Sequence, residues 1–209
     1  NSGKGTLNSN GKHMPTFGDN LRFFFDYQVN YMYWRYFMWN FAGRQNDIQG
    51  TIPGDPIRGN WESGIGFLDK ARLGDQSGAP DMLKNNKGKN HYYMLPLLLG
   101  IVGLIYQSLK DRRNAWITFL LFFMTGLAIL VYLNQPPYQP RERDYAYAGS
   151  FYAFAIWAGL GVMALFNLFQ KKLSQTIAGS LAAALALFVP FQMLAQNWDD
   201  HDRSGRYTA

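Results

Sequence analysis

The 209-residue chain contains no cysteine. That excludes a disulfide framework, a thiolate metal site and a cysteine nucleophile. Histidine is nearly absent too: His13, His91 and His201 are too scattered to suggest a His-rich zinc centre. Charge is scarce, at 16% Asp, Glu, Lys and Arg, where a soluble domain carries roughly a quarter. A chain this apolar and this aromatic, 48% and 17% respectively, is not a disordered one, because disorder needs low hydrophobicity and high charge.

The scarcity is uneven. Residues 1–92 are polar and glycine-rich, whereas four later stretches carry no charge at all. These are residues 93–109, 115–133, 145–169 and 173–195, of 17, 19, 25 and 23 residues. A membrane-crossing helix needs about 20 apolar residues, so the first is the weakest of the four. Hydrocarbon offers no partner to backbone polar groups, so such stretches must be helical. The sequence therefore predicts an all-α integral membrane bundle of about four spans. Residues 1–92 form an external region ahead of it, and residues 196–209 open a second external segment. Pro96 and Pro190 are expected to bend their spans. Tyr92, Tyr93, Trp116, Tyr132, Tyr145, Tyr147 and Trp198 fall at or near span ends, where amphipathic rings suit the headgroup zone. Ala155 with Gly159, and Ala178, Ala182 and Ala186, are small residues spaced four apart, as at close helix contacts. No ionisable residue lies inside a span, which counts against an ion-coupled transporter.

Short basic links, Lys110 to Asn114 and Gln170 to Lys172, force antiparallel neighbours. Their density of positive charge suggests the cytoplasmic side, although the total Lys and Arg count does not decide it. The chain starts at Asn1 and stops at Ala209 without a helix end, and it reads as an internal piece of a longer protein.

Within the polar region, residues 21–41 are unusual: eleven of twenty-one are aromatic. Arg22, Asp26 and Asn30 recur at steps of four, which makes one polar stripe on an α-helix, with Arg22 and Asp26 in pairing range. Such a helix either lies in the membrane interface or is wedged among others. Residues 42–92, punctuated by Gly and Pro, read as ordered loops with one short helix. The run from Gly5 to Gly11-Lys12-His13 is not a phosphate loop, since its spacing is wrong and His13 replaces the hydroxyl residue.

Two segments carry candidate chemistry. Residues 134–145 hold three prolines and then Arg141, Glu142, Arg143 and Asp144 at a membrane boundary. A guanidinium binds phosphate bidentately, so Arg141 or Arg143 can grip a lipid-linked phosphate. An internal charge network or snorkelling to lipid explains the same residues. Asp199, Asp200 and Asp202, beside His201, form an acidic cluster whose oxygens suit a divalent cation, but the spacing fits no dedicated metal motif. A solvated juxtamembrane stretch is the alternative. Asp26, Asp47 and Glu62 are further acids without a partner at diagnostic spacing.

Three blocks also carry a resemblance. They are residues 31–47 (YMYWRYFMWNFAGRQND), residues 140–145 (PRERDY) with 149–154 (GSFYAF), and residues 197–204 (NWDDHDRS). Together they resemble a family of bacterial multi-pass membrane proteins of unknown function, related to the eukaryotic transmembrane-protein-260-like O-mannosyltransferases. The resemblance covers nearly the whole chain after about Gly18. It implies a GT-C-type glycosyltransferase of the bacterial inner (cytoplasmic) membrane, with residues 1–92 and 196–209 on the periplasmic side. The implied donor is a polyprenyl-phosphate sugar and the implied acceptor a protein Ser or Thr. The implied partners are membrane lipids, that donor and that acceptor, and not nucleic acid. Inversion at the sugar carbon needs a carboxylate base and a cation at the leaving phosphate. The resemblance implies a catalytic carboxylate on the first external loop of this fold class, a region expected upstream of Asn1. The resemblance strengthens the phosphate-holding reading of Arg141 and Arg143, with Arg35 and Arg44 as lesser candidates. A non-catalytic scaffold or assembly subunit of envelope biogenesis is the competing reading.

Overall fold

The computed structural model describes residues 6–7, 11, 13–48, 50, 54–136 and 144–201. Helices dominate, as the sequence predicts. The strands are two-residue ribbons: β1 (Thr6–Leu7) with β2 (His13–Met14), and β3 (Gly43–Arg44) with β4 (Asn90–His91).

The aromatic helix begins earlier than its aromatic run. Thr16 caps α1 (Phe17–Phe23) in a reciprocal box: its hydroxyl accepts from Asp19 N, and Asp19 Oδ2 accepts from Thr16 N at 2.9 Å. Two otherwise unpaired donors are thereby satisfied. The helix continues as an eleven-residue π-helix, Phe24–Trp34, and then as α2 (Arg35–Phe41). The π-helix is the departure from expectation. Its hydrogen bonds close at i+5, so Gln28 and Tyr33, five apart, share the inward side and are buried. Arg22 and Asp26 do pair, at 3.2 Å on an exposed face. Asn30, by contrast, falls beside Tyr31 and Arg35 on a cavity wall, because four-residue steps drift in a π-helix.

The described part of residues 42–92 holds two short helices rather than one, α3 (Gly66–Leu73) and α4 (Asp81–Lys84). The turn before α3 is tied by the buried Asp69 carboxylate, which accepts from Ser63 N, Ser63 Oγ and Gly64 N at 2.8–3.0 Å.

The apolar half contains α5 (Leu95–Lys110), α6 (Arg112–Phe123), a π turn (Met124–Ala128) and α7 (Ile129–Leu133). A 3₁₀ turn (Asp144–Tyr147), α8 (Ala148–Phe169) and α9 (Gln175–His201) follow. Among the described residues, three helices are long and apolar enough to cross a membrane: Arg112–Leu133, Tyr145–Phe169 and Gln175–Trp198. α5, with 16 residues, rises about 24 Å against about 30 Å of hydrocarbon. The fourth expected span is thus a short helix. Pro96 does not bend it, since it sits in the first turn, where the missing N–H costs nothing. Pro190 does lie inside α9.

α5 and α8 run in the same direction in backbone contact. A Cβ on Gly103 would sit 1.7 Å from the Trp157 carbonyl oxygen, and one on Gly161 would sit 2.2 Å from that of Leu99. The inward face of α8 is Ser150, Ala153, Phe154, Trp157 and Gly161. The expected Ala155 and Gly159 face outward: Ala155 is exposed and Gly159 has open space around it. On α9 the expectation holds better, with Ala178 and Ala182 buried and Gly179 near the Phe166 ring.

The C-terminal half of the aromatic helix is wedged among others, whereas α1 buries no residue. Phe37, Met38, Phe41 and Ala42 form one buried cluster with Phe154 and Trp157 of α8. Phe37 and Phe41 meet the Phe154 ring at centroid distances of 4.9 and 4.5 Å. Tyr33 packs edge-on to Tyr147, and its hydroxyl lies 3.1 Å from Ser150 Oγ. Such aromatic pairs are worth about 0.5–1.5 kcal/mol each beyond area burial. The polar region therefore closes one end of the bundle, where α5 and α8 begin and α7 and α9 end.

Candidate functional site

Beneath the π-helix lies a polar cavity of about 190 Å³, lined by Asn30, Tyr31 and Arg35 on one side and by Asp55, Asn60, Trp61 and Arg72 on the other. Its far wall is a loop with little regular structure, held by amide side chains. Gln45 Nε2 donates to Pro56 O at 3.0 Å, and Asn60 Nδ2 donates to Asp55 O at 2.7 Å. The fully buried Asn46 donates to Ile57 O at 3.0 Å and accepts from Gly59 N at 2.9 Å. Gly59 has φ +59°, and a Cβ there would sit 2.6 Å from Ile48 O. Only glycine fits this point without strain.

That glycine carbonyl receives Arg35. The Arg35 side chain is buried, with Nη1 donating to Gly59 O at 3.0 Å and Nε to Tyr31 O at 2.8 Å. Its guanidinium lies 4.4 Å from the Tyr31 ring centre and 4.5 Å from that of Trp39. Stacking of this kind holds a cation in a partly desolvated place at lower cost. Arg72 reaches the same cavity from α3. Its guanidinium stacks 3.7 Å over Trp61 and donates to the Trp61 carbonyl. Two cations and two aromatic rings, Tyr31 and Trp61, thus meet around one small polar space. Asp55 is the carboxylate among its lining residues; it accepts from Ile57 N at 3.1 Å and lies 3.9 Å from Arg58. A phosphate monoester or diester suits the guanidinium pair, and a sugar ring suits the aromatic faces and amide donors.

Arg44 also lies near Trp39, 5.7 Å from its ring, and donates Nε to Gly88 O at 2.7 Å. It does not line the cavity. Arg141 and Arg143 lie outside the described residues, as does Asp202. Asp199 and Asp200 lie on the final turn of α9, and their side chains too are outside what is described. Among the described residues, the other cationic candidate, Arg44, is therefore not brought into the cavity of Arg35. The residue that joins it, Arg72, is thirty-seven positions away in an unremarkable helix, and no local spacing marks it.

A second cluster sits one residue from Trp61. Glu62 Oε2 lies 3.3 Å from Lys89 Nζ, and its Oε1 lies 3.4 Å from His91 Nε2. Burial raises the Glu62 pKa, but the His91 imidazole and the Lys89 ammonium together outweigh it, so the carboxyl titrates below its ordinary value. The partner that Glu62 lacks in sequence is supplied by the β3–β4 ribbon. The same ribbon meets the end of α9: His91 N donates to Gln196 Oε1 at 3.2 Å, and Gln192 Nε2 donates to His91 O at 3.2 Å. Asn197 accepts from Asn90 at 3.1 Å and donates to Tyr92 Oη at 2.6 Å.

No family model, curated protein or solved structure matches the chain. The site's own geometry is what bears on function.

Proposed function

We propose that this chain is part of a GT-C-like membrane glycosyltransferase that moves a sugar from a polyprenyl-phosphate donor to a protein Ser or Thr. In this reading it resides in the bacterial cytoplasmic membrane, with residues 1–92 and 196–209 on the outer side. The observation that supports it is the cavity at the capped end of the bundle, where Arg35 and Arg72 converge beside Tyr31 and Trp61. In the transfer, the acceptor oxygen bonds to the anomeric carbon as the bond from that carbon to the phosphate oxygen breaks. The hydroxyl proton goes to a carboxylate base, and polyprenyl phosphate leaves with the bonding pair. The guanidinium groups stabilise the charge that grows on that phosphate, and aimed donors of this kind are worth about 100-fold or more in rate. Arg141 and Arg143 belong to the same proposal as further phosphate-holding residues.

The reading of the chain as a non-catalytic scaffold of envelope assembly also has an observation in its favour. Arg35 and Arg44 direct donors to the backbone carbonyls of Tyr31, Gly59 and Gly88, as structural ties do. One experiment separates the two. The full-length protein in detergent is given polyprenyl-phosphate mannose and Ser/Thr peptides, and transfer is followed by mass spectrometry. Wild-type transfer, reduced about 100-fold by Arg72→Gln at unchanged thermal stability, supports the enzyme and this cavity. Transfer indifferent to Arg72→Gln but lost in Arg143→Ala moves the phosphate site to the 134–145 loop. No transfer from any lipid-linked sugar supports the scaffold.

A further inference from the structure

The opposite end of the bundle has a different character. Its two links carry Lys110, Arg112, Arg113, Lys171 and Lys172 against the single acid Asp111. That acid is engaged locally, accepting from Asn114 N at 3.1 Å and from the Asn114 amide. Between α5 and α6 at this end runs an open groove of about 290 Å³, walled by Leu104 and Ser108 on one helix and Ala115, Trp116 and Phe119 on the other, with Arg112 at its mouth. The Ser108 hydroxyl donates to Leu104 O at 2.7 Å, so it turns into its own helix and leaves that wall apolar. The groove is held in shape by a chain of side-chain bonds behind it. Trp157 Nε1 donates to Gln107 Oε1 at 2.8 Å, and Gln107 Nε2 donates to Thr118 Oγ1 at 3.3 Å.

We propose that this groove holds one anionic glycerophospholipid, with an acyl chain against Leu104, Trp116 and Phe119 and the phosphate on Arg112. The charge at this end selects the occupant: an apolar slot alone accepts any acyl chain, but a slot whose mouth is a guanidinium among four other cations favours a headgroup of net negative charge. A guanidinium also matches phosphate bidentately. Basic residues near a headgroup layer each contribute roughly 1 kcal/mol of attraction to anionic lipid. This inference rests on reading the apolar helices as lying in a bilayer and is independent of the glycosyltransferase proposal.

The test is native mass spectrometry of the full-length protein from micelles doped equally with phosphatidylglycerol and phosphatidylethanolamine of identical acyl chains. Wild type retains phosphatidylglycerol preferentially. Arg112→Gln, which removes both that attraction and the direct guanidinium–phosphate bonds, lowers that retention more than about tenfold, whereas Arg113→Gln, which removes the same charge outside the groove, lowers it about fivefold at most. Ser108→Phe, at an exposed position, fills the slot and lowers retention of both lipids, and it decides the matter should Arg112→Gln fail to fold. Equal effects of the two arginine variants would overturn the proposal in favour of diffuse attraction. Unchanged retention in Ser108→Phe would also overturn it.

Discussion

α8 and α9 look alike as sequence: each is an uncharged run of more than twenty residues. They are held by different means. α8 is the centre of the molecule, with 22% of its most apolar window buried, against 11% for α9. Its hold is contact at backbone distance with α5 and ring packing with the aromatic helix. α9 touches its neighbour through two buried alanines and is fastened at its tip, where Gln192, Gln196 and Asn197 bond the β4 ribbon. In lipid, burying an apolar surface against another helix gains little, because the tails are as apolar as leucine. What holds a helix there is close packing or polar bonds. α8 uses close packing with polar bonds from Ser150, Trp157 and Asn167 added to it, and α9 relies mainly on polar bonds at its tip.

Several substitutions break or sharpen this contrast. The largest effect is expected from Gly103→Leu, whose side chain has no room beside the Trp157 carbonyl. Overpacking against backbone should cost about 3 kcal/mol or more, seen as loss of the monodisperse peak in detergent. Phe154→Ala removes the ring shared by Phe37 and Phe41 and should cost about 3–5 kcal/mol in thermal unfolding. A small shift there would show that α8 does not depend on the aromatic wedge. Asn197→Ala removes the bonds that this residue makes with Tyr92 Oη and Asn90, at about 1–3 kcal/mol. Its signature is local: hydrogen exchange should rise across residues 192–198 while α5 and α8 stay protected. Uniform loss of protection would make the two helices one unit.

Acidification tests the ribbon beneath α9. Glu62 titrates lower in the folded state than in the unfolded chain, where the carboxyl pKa is about 4.3. Its contribution is therefore complete above that value and is lost as pH falls through the lower folded pKa. Stability in that acid range should decline in wild type and be flatter in Glu62→Gln. The smallest effect is expected at Gly159→Ala, whose Cβ enters open space, at under about 0.5 kcal/mol. The matched Gly161→Ala meets Leu99 and should be clearly worse.

How the helices are held explains what could be read in advance. Long uncharged runs made the helices legible, because no other structure keeps so many apolar residues without a polar break. Their inward faces were harder. On a soluble helix the polar face marks the outside, but here lipid-facing and buried positions are equally apolar. Small residues at Ala155 and Gly159 were therefore as plausible as Gly161. The π-helix was hidden because Arg22, Asp26 and Asn30 recur at steps of four, the α-helical period, while nothing in the run marks steps of five. Of the cavity, Arg35 was visible within its aromatic run. Arg72, Trp61 and the Glu62–His91 contact were not, since loop side chains meet through turns that carry no period. Arg141, Arg143 and Asp202 fall outside the described residues, as do the side chains of Asp199 and Asp200.

The brevity of α5 has a consequence for the surroundings of the protein as well as for its interior. Its 16 residues stand beside helices of 22–25, so one flank of the bundle presents a hydrophobic band several ångströms lower than the rest. A bilayer meeting such a mismatch thins locally, at fractions of a kcal/mol per ångström. Lys110 at the end of α5 can reach up to the lowered headgroups. Lipids on that flank would be splayed and shorter than the bulk, so membrane thickness becomes a variable to which this side of the molecule, and not the α9 side, is tuned.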